Sequence, residues 1–186
     1  MRHPFLVTVV GVLAVLAANA PKAAGAPGQS GAGGSKTMIR VPESLQVEHH
    51  KIHAALVEAT KAPGRVGAAA RELAAVLDPH FQREDQIALP PLGLLGPLAA
   101  GETPAGMEEA LVMSDALRKE LPRMLDEHKR IRAATDKLRA IAREEKASVH
   151  EQFAEALALH ARTEEEVLYP AAILVGDVIR ARMRRP

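Results

Sequence analysis

Residues 153–178 read FAEALALHARTEEEVLYPAAILVGDV, and this stretch decides the fold. Phe153, Leu157, His160, Glu164, Val167, Ala171, Leu174 and Val178 recur at alternating spacings of four and three, the period of one face of an α-helix. Two polar residues interrupt the middle of that apolar stripe. Residues i and i+4 lie one turn apart on the same face, about 6 Å from each other, so His160 and Glu164 offer a nitrogen and a carboxylate to a common point.

Working outward, the same design recurs three times. Residues 42–61 carry the seam Leu45, His49, Ile52 and Leu56, with Pro42 suited to a helix start and Pro63-Gly64 to its end. Residues 66–89 carry Leu73, Leu77, His80, Glu84 and Ile87, and Pro90-Pro91 closes that segment. A Gly/Pro-rich connection follows. Residues 107–145 then place Leu121, Leu125, His128, Ile131 and Leu138 on one stripe, with a bend expected at Pro122. The fourth helix begins near Ser148. Sustained period-two alternation is absent, so the expected fold is all-α, an up-and-down four-helix bundle over residues 40–180.

Every stripe is interrupted by histidine, and burying imidazoles and carboxylates among Leu and Ile costs several kcal/mol unless something compensates. A cation at the bundle centre does so most simply; a satisfied polar core is the alternative. The pattern is also repeated within the chain. Glu48-His49-His50-Lys51-Ile52 is followed by His80, Glu84 and Pro90; Glu127-His128-Lys129-Arg130-Ile131 is followed by His160, Glu164 and Pro170. In both halves the acid stands four residues after the second histidine and the proline ten.

EHHKI, HFQREDQIALP, EHKRI and HARTEEEVLYP resemble the four helix signatures of a hemerythrin-like (HHE cation-binding) domain, over about residues 40–175. The resemblance implies a four-helix bundle around a non-haem centre of two iron ions. It implies His49, His80, Glu84, His128, His160 and Glu164 as metal ligands, with Glu84 and Glu164 as bridges. The sequence departs from the oxygen-carrying invertebrate members, which have HxxxH on the third helix and HxxxxD on the fourth; here Arg132 stands four residues after His128. Oxygen carriage, sensing, storage and redox roles therefore stay open. Dioxygen, nitric oxide or peroxide is the expected class of ligand, and imidazole with carboxylate also suits zinc or manganese.

His53, four residues after His49, is an additional candidate ligand. If it ligates, His49, His53 and His80 hold one iron, and His128 and His160 the other; otherwise it bonds to water or Glu58. Glu48 and Glu127 either accept the second ring N–H of a ligand histidine or lie on the surface. Glu165, Glu166 and Asp85 are expected to be solvated or to support ligands, and Met113, Met124 and Met183 to pack. Arg180, Arg182, Arg184 and Arg185 suit the negative end of a helix dipole or an anionic membrane surface. Two other classes of function remain: a di-iron oxidase or peroxidase in which Tyr169 relays an electron, and a structural bundle that holds zinc or no metal.

Composition narrows the field further. The 186 residues suit one domain. With no cysteine, thiol catalysis, disulfides and cysteine-held metals are excluded. A net charge of +1 and four aromatic residues, Phe5, Phe81, Phe153 and Tyr169, supply neither the basic surface nor the stacking platforms of a nucleic-acid binder. No residue pattern marks a pocket for an organic substrate. Residues 1–25 read as a signal peptide or N-terminal anchor, because Arg2 and His3 precede an apolar run over 5–20. Residues 26–39 read as a flexible linker rather than a phosphate-binding loop, since no strand precedes the glycines and no GKS/T ending follows. The expected location is the periplasm or the exterior.

Overall fold

A computed structural model describes residues 39–184. The leader and nearly all of the linker expected above lie outside the described residues. α1 spans Glu43–Thr60, and the Pro42 carbonyl accepts the N–H groups of Leu45 and Gln46 at 3.0 and 3.1 Å, so Pro42 stands just before the helix. α2 spans Gly64–Ile87. A 3₁₀ turn over Pro90–Leu94 leads into a short α3, Leu95–Ala99. α4 spans Met107–Glu144 and runs on through Pro122. α5 (Ser148–Thr163), a π-helical turn (Glu164–Leu168) and α6 (Tyr169–Met183) follow one another without a break as a single rod. Among the described residues there is no strand.

The long helices pack in chain order: α1 on α2, α2 on α4, α4 on α5 and α6, with α1 closing the ring on α5. This is an all-α, up-and-down bundle. Its core is layered. Leu56, Leu73, Leu77, Ile131, Leu138 and Leu157 belong to one apolar cluster. Ile87, Leu89, Leu117, Met124, Tyr169 and Ala172 belong to a second. Along each rod the inward histidines and glutamates come between the two: His80 and Glu84 between Leu77 and Ile87, His128 between Met124 and Ile131, His160 and Glu164 between Leu157 and Tyr169.

The Gly/Pro-rich connection is more ordered than a bare connection. Pro90, Pro91, Leu92, Leu94 and Leu98 are buried. Leu94 and Leu98 pack with Ala110 of α4 and with Val175 and Ile179 of α6. Arg182 donates to the carbonyls of Leu98, at 2.8 Å, and Glu102, which ties the connection down. α6 can approach α4 closely because residue 176 is glycine; a Cβ there would lie 2.5 Å from Ser114 Cβ.

The fourth rod departs from its predicted stripe. Val167 and Leu174 are 55% and 58% exposed, while Tyr169, Ala172 and Ile179 are buried. The π turn holds one residue more per turn than the α-helix, and an extra residue rotates everything after it by about 100°. The inward face therefore passes from Glu164 to Tyr169 instead of Val167. No helix among the described residues is long and apolar enough to cross a membrane.

Candidate metal centre

Four rods converge on one polar layer. His49 comes from α1, His80 and Glu84 from α2, His128 from α4, His160 from α5, and Glu164 opens the π turn. All six are at most 6% exposed. They fall into two groups with ligand atoms mutually within 4.8 Å: His80, Glu84, His128 and Glu164, and His49, His160 and Glu164.

Within the first group, His80 Nε2 lies 2.8 Å from His128 Nε2 and 3.4 Å from Glu84 Oε1, and His128 Nε2 lies 3.5 Å from Glu164 Oε2. Within the second, Glu164 Oε1 is 2.8 Å from His160 Nε2 and 3.3 Å from His49 Nε2. Glu84 reaches toward this group as well, its Oε2 4.0 Å from His49 Nε2. Both glutamates thus face both groups.

The outer ring nitrogens explain why the inner ones converge. His80 Nδ1 is 2.9 Å from Glu127, His128 Nδ1 2.8 Å from Glu165 and His160 Nδ1 3.2 Å from Glu48. Asp85 lies 3.8 Å from His49 Nδ1. Ionised carboxylates only accept, so each bonded Nδ1 carries the hydrogen and donates it, which leaves an Nε2 lone pair directed inward. The arrangement follows the internal repeat: Glu48 and Glu127 each precede a site histidine yet support the histidine of the other half.

Lone pairs and carboxylates facing one another this closely require a shared cation or shared protons. Buried Glu84 Oε2 has no hydrogen-bond partner, and His160 Nε2 is paired with Glu164 Oε1, 2.8 Å away, only when it carries a proton. In the metal-free protein protons take the cation's role. Burial, with the Glu164 charge beside it, pushes the Glu84 carboxyl up to about 7. Burial lowers the His160 imidazole, but the bond and charge of Glu164 outweigh it and raise the group to about 9. Burial opposes ionisation of Glu164, yet His160 and His49 hold it well below the usual carboxylate range. His80 is raised against the effect of its burial, chiefly by Glu84, whereas burial and the neighbouring His80 lower His128. The nitrogen–oxygen donor set, its burial and the unpartnered Glu84 Oε2 fit a metal.

His53 is exposed on α1, outside both groups, and lines a cleft beside His49. The seam His49, Ile52, Leu56 and Ala59 centres on one side of His49, and His53 projects about 80° from that centre. The grouping of His49 and His53 with His80 therefore does not form. The structure joins histidines across the two halves of the repeat, because the ring of helices sets α2 against α4 and α1 against α5. His50 is exposed on the same cleft.

One residue has a larger place than its sequence reading suggested. Tyr169 is buried, donates a hydrogen bond to Glu84 Oε1, and sets its hydroxyl 3.0 Å from His128 Nε2 and 3.2 Å from His80 Nε2. Its neighbour Pro170 aligned it with Leu89-Pro90 in the repeat, but the π turn that swings it inward is invisible to a fixed helical period. Met124 packs in the second apolar layer, as expected.

Fold and site together define an all-α bundle whose buried His/Glu groups have the donors and spacing of a metal site. Residues 119–185 match the family model of the hemerythrin HHE cation binding domain, a segment that contains His128, His160, Glu164 and Tyr169. No curated protein and no solved structure matches the chain. His49, His80 and Glu84 lie before the matched segment and join the site through the internal repeat.

Proposed function

We propose that this protein holds two iron ions and binds dioxygen or another small ligand such as nitric oxide or peroxide, for sensing, carriage or redox handling of iron, outside the cytoplasm. The observation that carries the reading is the pair of buried His/Glu groups sharing Glu164, with Glu84 Oε2 unpartnered between them. His80 and His128 would hold one ion and His49 and His160 the other, with Glu84 and Glu164 shared. Bound iron would supply one-electron exchange at each ion and coordination positions that six protein groups leave unfilled. Similarity to a cation-binding family whose metal is typically iron supports that choice over zinc.

The chain's own residues do the rest. Glu127, Glu165 and Glu48 hold three imidazoles by Nδ1 and keep Nε2 as the metal-facing atom. Leu77, Leu157, Met124 and Leu117 line the layers on either side and exclude water. The apolar run over residues 5–20 supports export.

Metal analysis of protein purified anaerobically from its native compartment tests the iron assignment. Two irons per chain are expected; one zinc and no iron would overturn it. Cell fractionation with mass spectrometry of the N-terminus tests location, and full-length chain in the soluble cytoplasmic fraction would reject export.

A further inference from the structure

The two halves of the repeat are not equivalent at the residue five positions beyond the shared glutamate. In both halves that residue's N–H reaches the glutamate carbonyl: Leu89 to Glu84 at 3.0 Å, and Tyr169 to Glu164. Both residues are buried and both precede a proline. One brings an oxygen to the centre and the other a hydrocarbon.

The Tyr169 oxygen has the spacing of a ligand. Donor atoms about 2.1 Å from a six-coordinate ion, at right angles, stand about 3.0 Å apart. Tyr169 Oη lies 3.0 and 3.2 Å from the two Nε2 atoms, which are 2.8 Å from each other. Its hydrogen is directed at Glu84, so oxygen lone pairs are left for the side where the imidazoles converge. The surroundings are closed too. Glu127 and Glu165, which support His80 and His128, have side chains 18% and 26% exposed, and Arg123 and Arg132 pair with them.

At the other position the corresponding side is open. A cleft of about 580 Å³ between α1 and α2 reaches His49 and Leu89, with Phe81 and Asp85 on its walls and His53 at its rim. Glu48, which supports His160, and Asp85, 3.8 Å from His49 Nδ1, have side chains 47% and 65% exposed. Among the described residues no Lys or Arg forms an ion pair with either in the structure.

We propose that Tyr169 is an oxygen ligand of the His80/His128 metal position, so that the two metals are unequal and an exogenous ligand reaches the His49/His160 position through the α1–α2 cleft. The inference rests on the di-iron reading above. Coordination releases the phenol proton together with those the metal displaces from Glu84 and His160.

The test uses the full chain, loaded with iron anaerobically and then oxidised, in wild-type and Tyr169→Phe forms. Iron content is measured first, then visible absorption, resonance Raman and azide titration. Wild-type protein should hold two irons, show a tyrosinate-to-iron charge-transfer band with enhanced tyrosine ring modes, and bind one azide. Tyr169→Phe should keep both irons, lose the band and the ring modes, and bind a second azide. Wild-type protein with two irons but no tyrosine ring modes overturns this inference alone, whether or not the variant folds. So does an unchanged spectrum in Tyr169→Phe, or an azide stoichiometry that stays at one. Fewer than two irons in the wild-type protein overturns the di-iron reading and this inference with it.

Discussion

His80, His128 and His160 are each held between a carboxylate on the outer side and the shared glutamates on the inner side, and that placement has a pH signature. Without metal, Glu84 is neutral up to about 7 and His160 charged up to about 9. A carboxyl raised from 4.5 contributes stability that is lost as pH rises toward its folded value; an imidazole raised from 6.5 contributes stability fully present below 6.5 and lost as pH rises through about 9. His128 is lowered, so its opposing change falls below 6.5, and the lowered Glu164 acts only in acid. Chelated protein should therefore melt lower at about pH 9 than at about pH 6.5, while metal-loaded protein, in which the ion replaces these protons, should change less. Calorimetry at the two pH values checks this, and a chelated midpoint that rises with pH contradicts it. At the same scale, His53→Ala should leave metal content and optical spectrum unchanged, because the imidazole lies at the cleft rim and outside both ligand groups.

The π turn over Glu164–Leu168 decides which face of the last helix is buried. Glu166 is exposed, so its deletion removes no core contact directly. Without the extra residue the rod closes as a continuous α-helix in which Tyr169 follows Glu164 by four positions, on the same face, so Tyr169, Ala172 and Ile179 stay inward. The deletion variant should therefore keep its metal content and melt close to the parent; a marked loss of both, by metal analysis and calorimetry, would show that the turn does more than accommodate one residue.

Across the whole bundle, apolar layers form the helices' packing on either side of one polar layer of histidines and glutamates. Glu84→Ala together with Glu164→Ala should keep the parental helical content by circular dichroism, since Leu73, Leu77, Ile131 and Leu157 still pack, but should bind no metal. Chelation of the wild-type protein should lower its melting temperature by about 10 °C, because a ligand at a thousand times its dissociation constant stabilises by about 4 kcal/mol. An unchanged midpoint would mean that the His/Glu layer is satisfied without an ion.

Helical periodicity, prolines and the repeated His/Glu spacing were enough to read the all-α bundle, the helix starts near residues 43, 64, 107 and 148, and the six polar residues that meet inside it. Those features are local: i and i+4 share a face whatever the helix packs against. Which histidines stand together is not local. His80 meets His128 and His49 meets His160 only because α2 packs on α4 and α1 on α5, a matter of helix order around the ring. The partners of the outer nitrogens are likewise drawn from across the repeat. Tyr169 was legible as a residue near the site but not as a hydroxyl within it, since a single extra residue in the π turn shifts by about 100° which side of the helix faces inward.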